Sequence, residues 1–238
     1  MSHSPPSPND RPAPHAATQA VWGGEGGTHW ERATQVPVVK SVSFGYDDLD
    51  EWRDVALGAT PGHIYGRNTN PTVRCFEEKV RLLEGAAAAT SFATGMAAIS
   101  DTLFTLLQPG ERVVSVVDTY GGTNRLFSEF LPQVGVEVKL CQTEDEAAIE
   151  RAIDGGLRVL YLESPTNPTC KILDIARFAQ RAHDRGAIVV VDNTFATPIN
   201  QQPLALGADL VVHSATKFLG GHADALGGVL AGDAKLVQ

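Results

Sequence analysis

The sequence predicts an α/β fold with a mainly parallel sheet. From residue 113 onward, short apolar runs alternate with segments in which apolar residues recur at helical spacing. The apolar runs lack polar alternation, which is typical of strands that helices cover on both faces. The chain has 238 residues, of which 43% are hydrophobic, so it is long enough to bury the core that such a fold requires.

The regular elements begin at Asn70-Pro71, which fits an N-cap followed by proline at the first helical position. Apolar residues then follow at helical spacing, and a glycine fits the helix end: Val73, Phe76, Val80, Leu83 and Gly85. A second helix is predicted over 96–107. The strands predicted after it are 113–117, 136–140, 157–162, 187–191, 209–212 and 226–230. The further predicted helices are 124–131, 144–153, 175–185 and one that begins at Ala234.

Three regions are predicted along the chain. Residues 1–17 are rich in proline and polar residues, so we expect a disordered tail. Residues 18–70 are predicted to form an N-terminal segment that is irregular over 34–69. Residues 71–238 are predicted to form the main domain. The sequence stops at the start of a helix, so we expect this domain to be incomplete at its C-terminus.

Composition excludes several classes of protein. The 28 acidic residues outnumber the 19 basic ones, and a net charge of −9 argues against nucleic-acid binding. No apolar run approaches the roughly 20 residues of a membrane helix, and residues 1–10 lack the apolar core of a secretory signal. Cys75, Cys141 and Cys170 are too sparse for a disulfide framework or a zinc site. We therefore expect a cytoplasmic protein without a metal site.

Polar residues follow the predicted strands at the points where the strands end. Ligands of open α/β sheets bind at the carboxyl ends of the strands, so these residues are expected to converge on one site. They are Tyr120, Asn167, Asp192, Ser214, Thr216 and Lys217. Gly95 and Met96 begin the helix 96–107, whose first N–H groups favour a phosphate. Each residue also has an ordinary structural interpretation, such as a turn, a helix start or a half-buried tyrosine.

Lys217 and Asp192 indicate which class of ligand this site binds. Lys217 is the only lysine, arginine or carboxylate residue between 210 and 223, and its neighbours are apolar or small. A desolvated lysine is more easily neutral, and a neutral amine forms a Schiff base with a carbonyl; the alternative is a lysine that extends to solvent. Asp192 ends a very apolar strand and could face a protonated ring nitrogen. An imine-forming lysine with such a carboxylate is the pair that pyridoxal phosphate (PLP) needs.

Six runs, in this order, resemble the Cys/Met-metabolism family of PLP enzymes, which includes cystathionine γ-synthase, cystathionine and methionine γ-lyases and O-acylhomoserine sulfhydrylases. The runs are Tyr65-Gly66-Arg67 with 69–72, then 93–98, 120–123, 163–168, 191–195 and 213–217 with 220–222. The resemblance covers about residue 18 to the end. It implies the large domain of a fold-type I PLP transferase, similar to aspartate aminotransferase, without the small C-terminal domain of the family.

The resemblance also implies a role for each matching residue. Lys217 would bind the cofactor covalently and transfer protons, Asp192 would pair with the ring nitrogen, and Tyr120 would stack on the ring. The phosphate would be bound by Gly95, Met96, Ser214 and Thr216, and Asn167 would lie near the 3′-oxygen. Tyr65 and Arg67 would reach the phosphate of a neighbouring subunit, which implies a homodimer or homotetramer with shared sites.

The implied reaction is γ-replacement on an O-acyl-L-homoserine by cysteine, a step of transsulfuration and methionine biosynthesis. Gly122 stands where methionine γ-lyases typically have cysteine, which disfavours that activity. Sulfhydrylation of O-succinyl- or O-acetylhomoserine and γ-elimination remain alternatives, as does a non-catalytic fragment that keeps the fold. The expected lack of the C-terminal domain is one departure from the family. The other is in the N-terminal segment, where Trp22 replaces a frequent histidine and residues 26–32 resemble an insertion. The arginine that binds the substrate carboxylate belongs to the family's C-terminal domain.

Overall fold

The structure is a computed structural model that describes residues 15–24 and 33–237. It divides into two compact units, Met1–Cys75 and Phe76–Gln238, and each is described by itself. Most of the predicted tail and the insertion-like residues 26–32 lie outside the described residues.

The first unit contains helix α1 (Ala16–Trp22), helix α2 (Leu49–Ala56) and the start of helix α3 (Pro71–Glu84). The prediction of irregular structure over 34–69 is wrong across α2. Its apolar residues Leu49, Trp52 and Val55 recur at helical spacing, but the helix is short and buries none of them. Its N-terminus is held by Asp48, whose side chain accepts a 2.8 Å hydrogen bond from the Asp50 N–H.

The predicted start and end of α3 are confirmed. The Asn70 Oδ1 atom accepts hydrogen bonds from the backbone N–H groups of Thr72 (2.9 Å) and Val73 (3.3 Å). Gly85 follows the helix with φ +68°, a conformation that glycine adopts without strain.

The second unit is built around a seven-stranded sheet with the strand order β1-β7-β6-β5-β4-β2-β3. The strands are β1 (Ala88–Phe92), β2 (Arg112–Val116), β3 (Glu137–Cys141), β4 (Val159–Glu163), β5 (Ile188–Asp192), β6 (Leu210–Ser214) and β7 (Gly228–Gly232). The helices are α4 (Gly95–Leu106), α5 (Gly121–Arg125), α6 (Leu131–Gln133), α7 (Glu146–Asp154), α8 (Ile175–His183), α9 (Thr197–Asn200) and α10 (Ala234–Val237). A 3₁₀ turn covers Pro203–Leu206.

The sheet is mainly parallel, as predicted. Strands β2 to β6 run parallel, and β7 is antiparallel to both of its neighbours, β1 and β6. Every predicted strand and long helix from residue 71 onward is present within a few residues. Strand β1 is not predicted, because its sequence AATSF is mostly small residues and its strand conformation depends on pairing with β7.

The helix predicted over 124–131 differs in detail. It begins earlier, as α5, and continues into α6 through a π-helical segment, Leu126–Phe130. The π segment carries Phe127, which is fully buried.

Helices cover the sheet on both faces, which explains why the central strands β4 and β5 are apolar up to their last residue. Leu160 and Leu162 of β4 belong to the core cluster that includes Ile149 of α7 and Phe178 of α8. Tyr161, which alternates with them, belongs to the opposite cluster, with Leu103 of α4 and Phe127 of the π segment. No helix within the described residues is long and apolar enough to cross a membrane.

Candidate active site

The carboxyl ends of β2, β4, β5 and β6 surround a cavity of about 640 Å³ in the second unit. This volume is in the usual range for small-molecule sites. Eight of the ten site residues predicted from the sequence line it: Gly95, Met96, Tyr120, Asn167, Asp192, Ser214, Thr216 and Lys217. The predicted convergence of the strand-end residues is therefore present in the fold.

One wall of the cavity is the N-terminus of α4. The Thr94 Oγ1 atom accepts a 2.9 Å hydrogen bond from the Ala97 N–H and caps the helix. Helix geometry leaves the first N–H groups without acceptors inside the helix, so those of Gly95 and Met96 are suited to an anion. A Cβ atom on Gly95 would lie 2.6 Å from the Ser214 Cβ atom, so only glycine fits this close approach.

Two polar groups beside this helix already form hydrogen bonds, namely the Thr216 hydroxyl and the Ser214 backbone N–H. The Thr216 Oγ1 atom donates to the Gly227 carbonyl oxygen at 3.3 Å and accepts from the Gly227 N–H at 3.1 Å. The Ser214 backbone N–H donates to Thr194 Oγ1 at 2.9 Å, which fixes the main chain beside Gly95. Thr216 must therefore give up its donated hydrogen bond before it can donate to a ligand.

Lys217 lines the cavity, but it is exposed. The desolvation expected from its apolar neighbours is absent, because Phe218 and Leu226 are themselves 58% and 72% exposed and do not cover the amine. Within the described residues, no ion pair engages the Lys217 side chain. The amine is thus accessible to a ligand in the cavity.

Asp192 is buried at the end of β5, with 5% of its surface exposed. Its Oδ1 atom accepts a 3.0 Å hydrogen bond from the Thr194 N–H. Its Oδ2 atom accepts a 3.2 Å hydrogen bond from the Tyr161 hydroxyl. The carboxylate is held through both oxygens while it lines the cavity.

Glu163 is a second buried carboxyl group at the cavity, and it pairs in register with Asp192. Burial, followed by the nearby negative charge of Asp192, raises the pKa of Glu163 to about 7. Its two oxygens accept hydrogen bonds from the backbone N–H groups of Tyr120 (2.7 Å) and Asn167 (2.8 Å). Glu163 thereby ties together two loops that carry predicted site residues.

Tyr120 stands at the edge of the cavity and is 46% exposed. A Cβ atom on Gly122 would lie 2.8 Å from the Tyr120 ring and 2.9 Å from the Met96 sulfur. A larger residue at position 122 would therefore displace the ring or the sulfur.

The other two predicted site residues, Tyr65 and Arg67, belong to the first unit. Both are exposed, and the Arg67 guanidinium lies 4.9 Å from the centroid of the Tyr65 ring. This stacking joins a cation and a phenol in one exposed pair.

Sequence reasoning missed Glu163, Thr194 and Tyr161 as site residues. Glu163 carries the signal that identified Asp192, a carboxylate that ends an apolar strand. Tyr161 lies two positions earlier on the same face of β4, and its hydroxyl is the only polar side-chain group before Glu163 in that strand.

These residues fit the chemical groups of PLP. The close approach at Gly95 and the helix N-terminus suit a phosphate, the accessible Lys217 amine suits an aldehyde, and the buried Asp192 carboxylate suits a protonated ring nitrogen.

Comparison with curated proteins gives several relatives of similar identity. An L-methionine gamma-lyase of Pseudomonas putida is 40% identical over 94% of this chain and 56% of its own length. An O-succinylhomoserine sulfhydrylase of Pseudomonas aeruginosa is 44% identical over 74% of this chain and 43% of its own. A chloroplastic cystathionine gamma-synthase of Nicotiana tabacum is 40% identical over 87% of this chain and 38% of its own. The chain thus spans about half or less of each relative.

Comparison with solved structures agrees. A structure described as an O-acetylhomoserine (thiol)-lyase from Campylobacter jejuni superposes with a TM-score of 0.86 and 32% identity. The match covers 93% of this chain and 54% of that one, and that structure holds a pyridoxyl-lysine monophosphate. The family model for Cys/Met metabolism PLP-dependent enzymes matches residues 17–238. The fold has the predicted α/β architecture of this group, and the chain belongs to the Cys/Met metabolism PLP-dependent enzyme family.

Proposed function

We propose that this chain forms the cofactor-binding part of a PLP enzyme that makes cystathionine from an O-acyl-L-homoserine and cysteine. One observation carries the proposal: the Lys217 amine, the Asp192 carboxylate and the N-terminus of α4 share one cavity. Bound PLP supplies an electron sink for negative charge that develops on the substrate carbons.

Each residue of the site has its own proposed role in cofactor binding or proton transfer. The Lys217 amine would hold the cofactor and would move protons between substrate carbons when it is free. The Asp192 carboxylate would hold a positive charge at the ring nitrogen. The N–H groups of Gly95 and Met96, with the Ser214 and Thr216 hydroxyls, bind the phosphate. Tyr120 packs against the ring, and Asn167 lies near the 3′-oxygen.

We also propose a homodimer or homotetramer in which each subunit completes its neighbour's site. The exposed pair of Tyr65 and Arg67 would bind the phosphate held by the partner subunit. Mixing Lys217→Ala and Arg67→Ala chains tests this, because a mixed dimer contains one site with both residues intact. Restored cofactor attachment upon mixing supports shared sites, and no restoration contradicts them.

The choice of reaction depends on Gly122. The cysteine that is typical of methionine γ-lyases at this position would displace the Tyr120 ring or the Met96 sulfur. This disfavours γ-elimination of methionine and supports replacement chemistry. Sulfhydrylation of O-succinylhomoserine is the second candidate, because the relative with that name is 44% identical to this chain.

The compartment is proposed from the cysteines. Cys75, Cys141 and Cys170 form no disulfide, which agrees with a reducing compartment such as the cytoplasm.

The cofactor proposal is tested by the visible absorption spectrum of the chain with PLP, before and after borohydride. We expect a band that borohydride abolishes and that Lys217→Ala lacks. Lys235→Ala is the matched control, since Lys235 lies in α10 and does not line the cavity, and it should keep the band. A wild-type chain without any band would contradict the proposal.

The reaction is tested with O-succinyl-L-homoserine, first with L-cysteine and then with sulfide. Cystathionine as the main product supports the proposed activity, whereas homocysteine formed faster from sulfide favours the second candidate. A 2-oxo acid and ammonia as main products would favour elimination. A chain that binds the cofactor but gives no product in any assay would favour the non-catalytic alternative.

A further inference from the structure

Tyr161 lies behind the cavity, inside strand β4, and is not one of the residues that follow the strand ends. It is fully buried in β4, and its hydroxyl donates to Asp192 Oδ2 at 3.2 Å. Because the Thr194 N–H occupies the other oxygen of Asp192, the two donors together fix the plane of this carboxylate. The Tyr161 hydroxyl is the only side-chain donor to Asp192 in the described part of the chain.

The position of Tyr161 is itself determined by packing. Its ring meets the Phe127 ring edge-on, with centroids 5.3 Å apart and an interplanar angle of 72°. Phe127 is fully buried and comes from the π segment. Burial, together with the negative charge of Asp192, raises the pKa of the Tyr161 phenol, so the hydroxyl keeps its proton and remains a donor.

Asp192 needs such a donor because of its other neighbour. Glu163 projects from the same face of β4 and pairs in register with Asp192, so two carboxyl groups are buried side by side. The two oxygens of Glu163 take the backbone N–H groups of Tyr120 and Asn167, and burial raises its pKa to about 7. Among the described residues, the Tyr161 hydroxyl is the donor that fixes Asp192 Oδ2 beside this second carboxyl group.

We propose that Tyr161 is a positioning residue that holds the Asp192 carboxylate in the orientation required to meet the ring nitrogen of PLP. This inference rests on the proposed placement of Asp192 at that nitrogen. Tyr161 does not line the cavity, so it acts through Asp192 and does not touch the cofactor.

The test compares two ligands by equilibrium dialysis: PLP, and its 1-deaza analogue, in which carbon replaces the ring nitrogen. For Tyr161→Phe we expect PLP to bind about three- to tenfold more weakly, as for loss of one hydrogen bond to a charged group. Binding of the deaza analogue should stay within about twofold of wild type. Tyr46→Phe removes a phenol that donates to the His63 carbonyl in the first unit, so it controls for the loss of a hydroxyl alone and should change neither affinity.

Three outcomes would overturn the inference: an equal loss for both ligands, no loss for either, or tighter binding of PLP. An Asp192→Asn chain separates this failure from failure of the proposed function. If Asp192→Asn also fails to distinguish the two ligands, the placement of Asp192 is wrong. If only Tyr161→Phe fails to distinguish them, the positioning role alone is wrong.

A second measurement does not depend on whether the variant folds. The chain has four tyrosines, so ¹³Cζ-tyrosine labelling gives a simple NMR spectrum. Tyr161 is identified as the buried phenol whose signal does not titrate at alkaline pH. We expect PLP to shift this signal more than the deaza analogue does, and equal shifts would overturn the inference.

Discussion

The carboxylates behind the cavity and those of α7 are the same chemical groups in opposite surroundings. Glu146, Glu150 and Asp154 of α7 lie near the surface and pair with arginines that include Arg177 and Arg181 of α8. Glu163 and Asp192 are only 4% and 5% exposed, and N–H and O–H groups are their hydrogen-bond donors.

The pKa values follow this difference. Hydrogen bonding to Arg181 lowers the pKa of Asp154, whereas burial raises the pKa of Glu163 to about 7. Arginines neutralise the α7 carboxylates, and these ion pairs join α7 to α8. The carboxylates at the cavity lack a cation among their hydrogen-bond partners, so a cationic ligand would complete their surroundings. Four substitutions, ordered from the largest expected effect to the smallest, test this comparison.

Glu84 is a buried carboxylate that the fold pairs through one oxygen, and its removal should have the largest effect. Its Oε1 atom lies 2.6 Å from His213 Nε2 and accepts a 3.0 Å hydrogen bond from Asn193 Nδ2. We expect Glu84→Ala to lower the free energy of unfolding by about 3 kcal/mol, because it leaves His213 Nε2 buried without its partner, whereas Asn193 Nδ2 keeps its bond to the Gln201 carbonyl. Urea unfolding measures this. Glu78→Ala, on the same helix but in a partly exposed pair with Arg81, should change stability far less; equal losses would contradict the expectation.

Asp192→Asn should weaken PLP binding by about a hundredfold while the free energy of unfolding changes little. The neutral amide keeps the shape of the side chain but cannot hold a positive charge at the ring nitrogen. Equilibrium dialysis measures the affinity. Asp209→Asn, which ends no strand at the cavity, is the control and should bind PLP as the wild type does. Unchanged affinity in Asp192→Asn would mean that this carboxylate, like those of α7, does not pair with the ring nitrogen of PLP.

Glu163→Gln should change how stability depends on pH. The folded chain holds the Glu163 proton more tightly than the unfolded chain, because its pKa rises from 4.5 to about 7 on folding. The wild type therefore loses stability as the pH rises through this range, and the glutamine variant does not. Relative to wild type, we expect the variant to gain about 2 kcal/mol between pH 5 and pH 8. Urea unfolding at several pH values measures this, and parallel curves would rule out the raised pKa.

Arg181→Gln should have the smallest effect. This residue bonds Asp154 near the surface, where solvent and salt screen the attraction. We expect a small shift of the urea midpoint at low salt that disappears at high salt. A large shift that persists in salt would show that the α7 carboxylates depend on their partners as strongly as the buried ones do.

Much of the fold was open to prediction because the second unit buries its strands on both faces. Continuous apolar runs such as 159–162 predict buried strands, and their alternation with helices along the chain indicates a parallel sheet. Helix α2 and strand β1 give no such signal. The first buries nothing, and the second is composed mostly of small residues and depends on a partner far along the chain.

The site was predictable to the extent that it follows strand ends. That rule finds Asp192, Ser214 and Lys217, but it gives neither the exposure of Lys217 nor the hydrogen bonds that occupy Thr216. Tyr161 was missed for another reason. Its role depends on a diagonal contact between neighbouring strands, and a single sequence does not record which buried side chains meet across a sheet.

The position of β7 has a consequence for synthesis on the ribosome. Strand β1 is made early, yet its sheet neighbour is β7, which follows the other six strands of this sheet in the chain. While β2 to β6 emerge and pair, β1 and the free edge of β6 both offer unpaired backbone groups to other chains. Once β7 has left the ribosome, it pairs with both β1 and β6, and the unpaired backbone groups between them are satisfied together. The nascent chain should therefore depend on chaperones until that moment, and a premature stop before β7 should give an insoluble product.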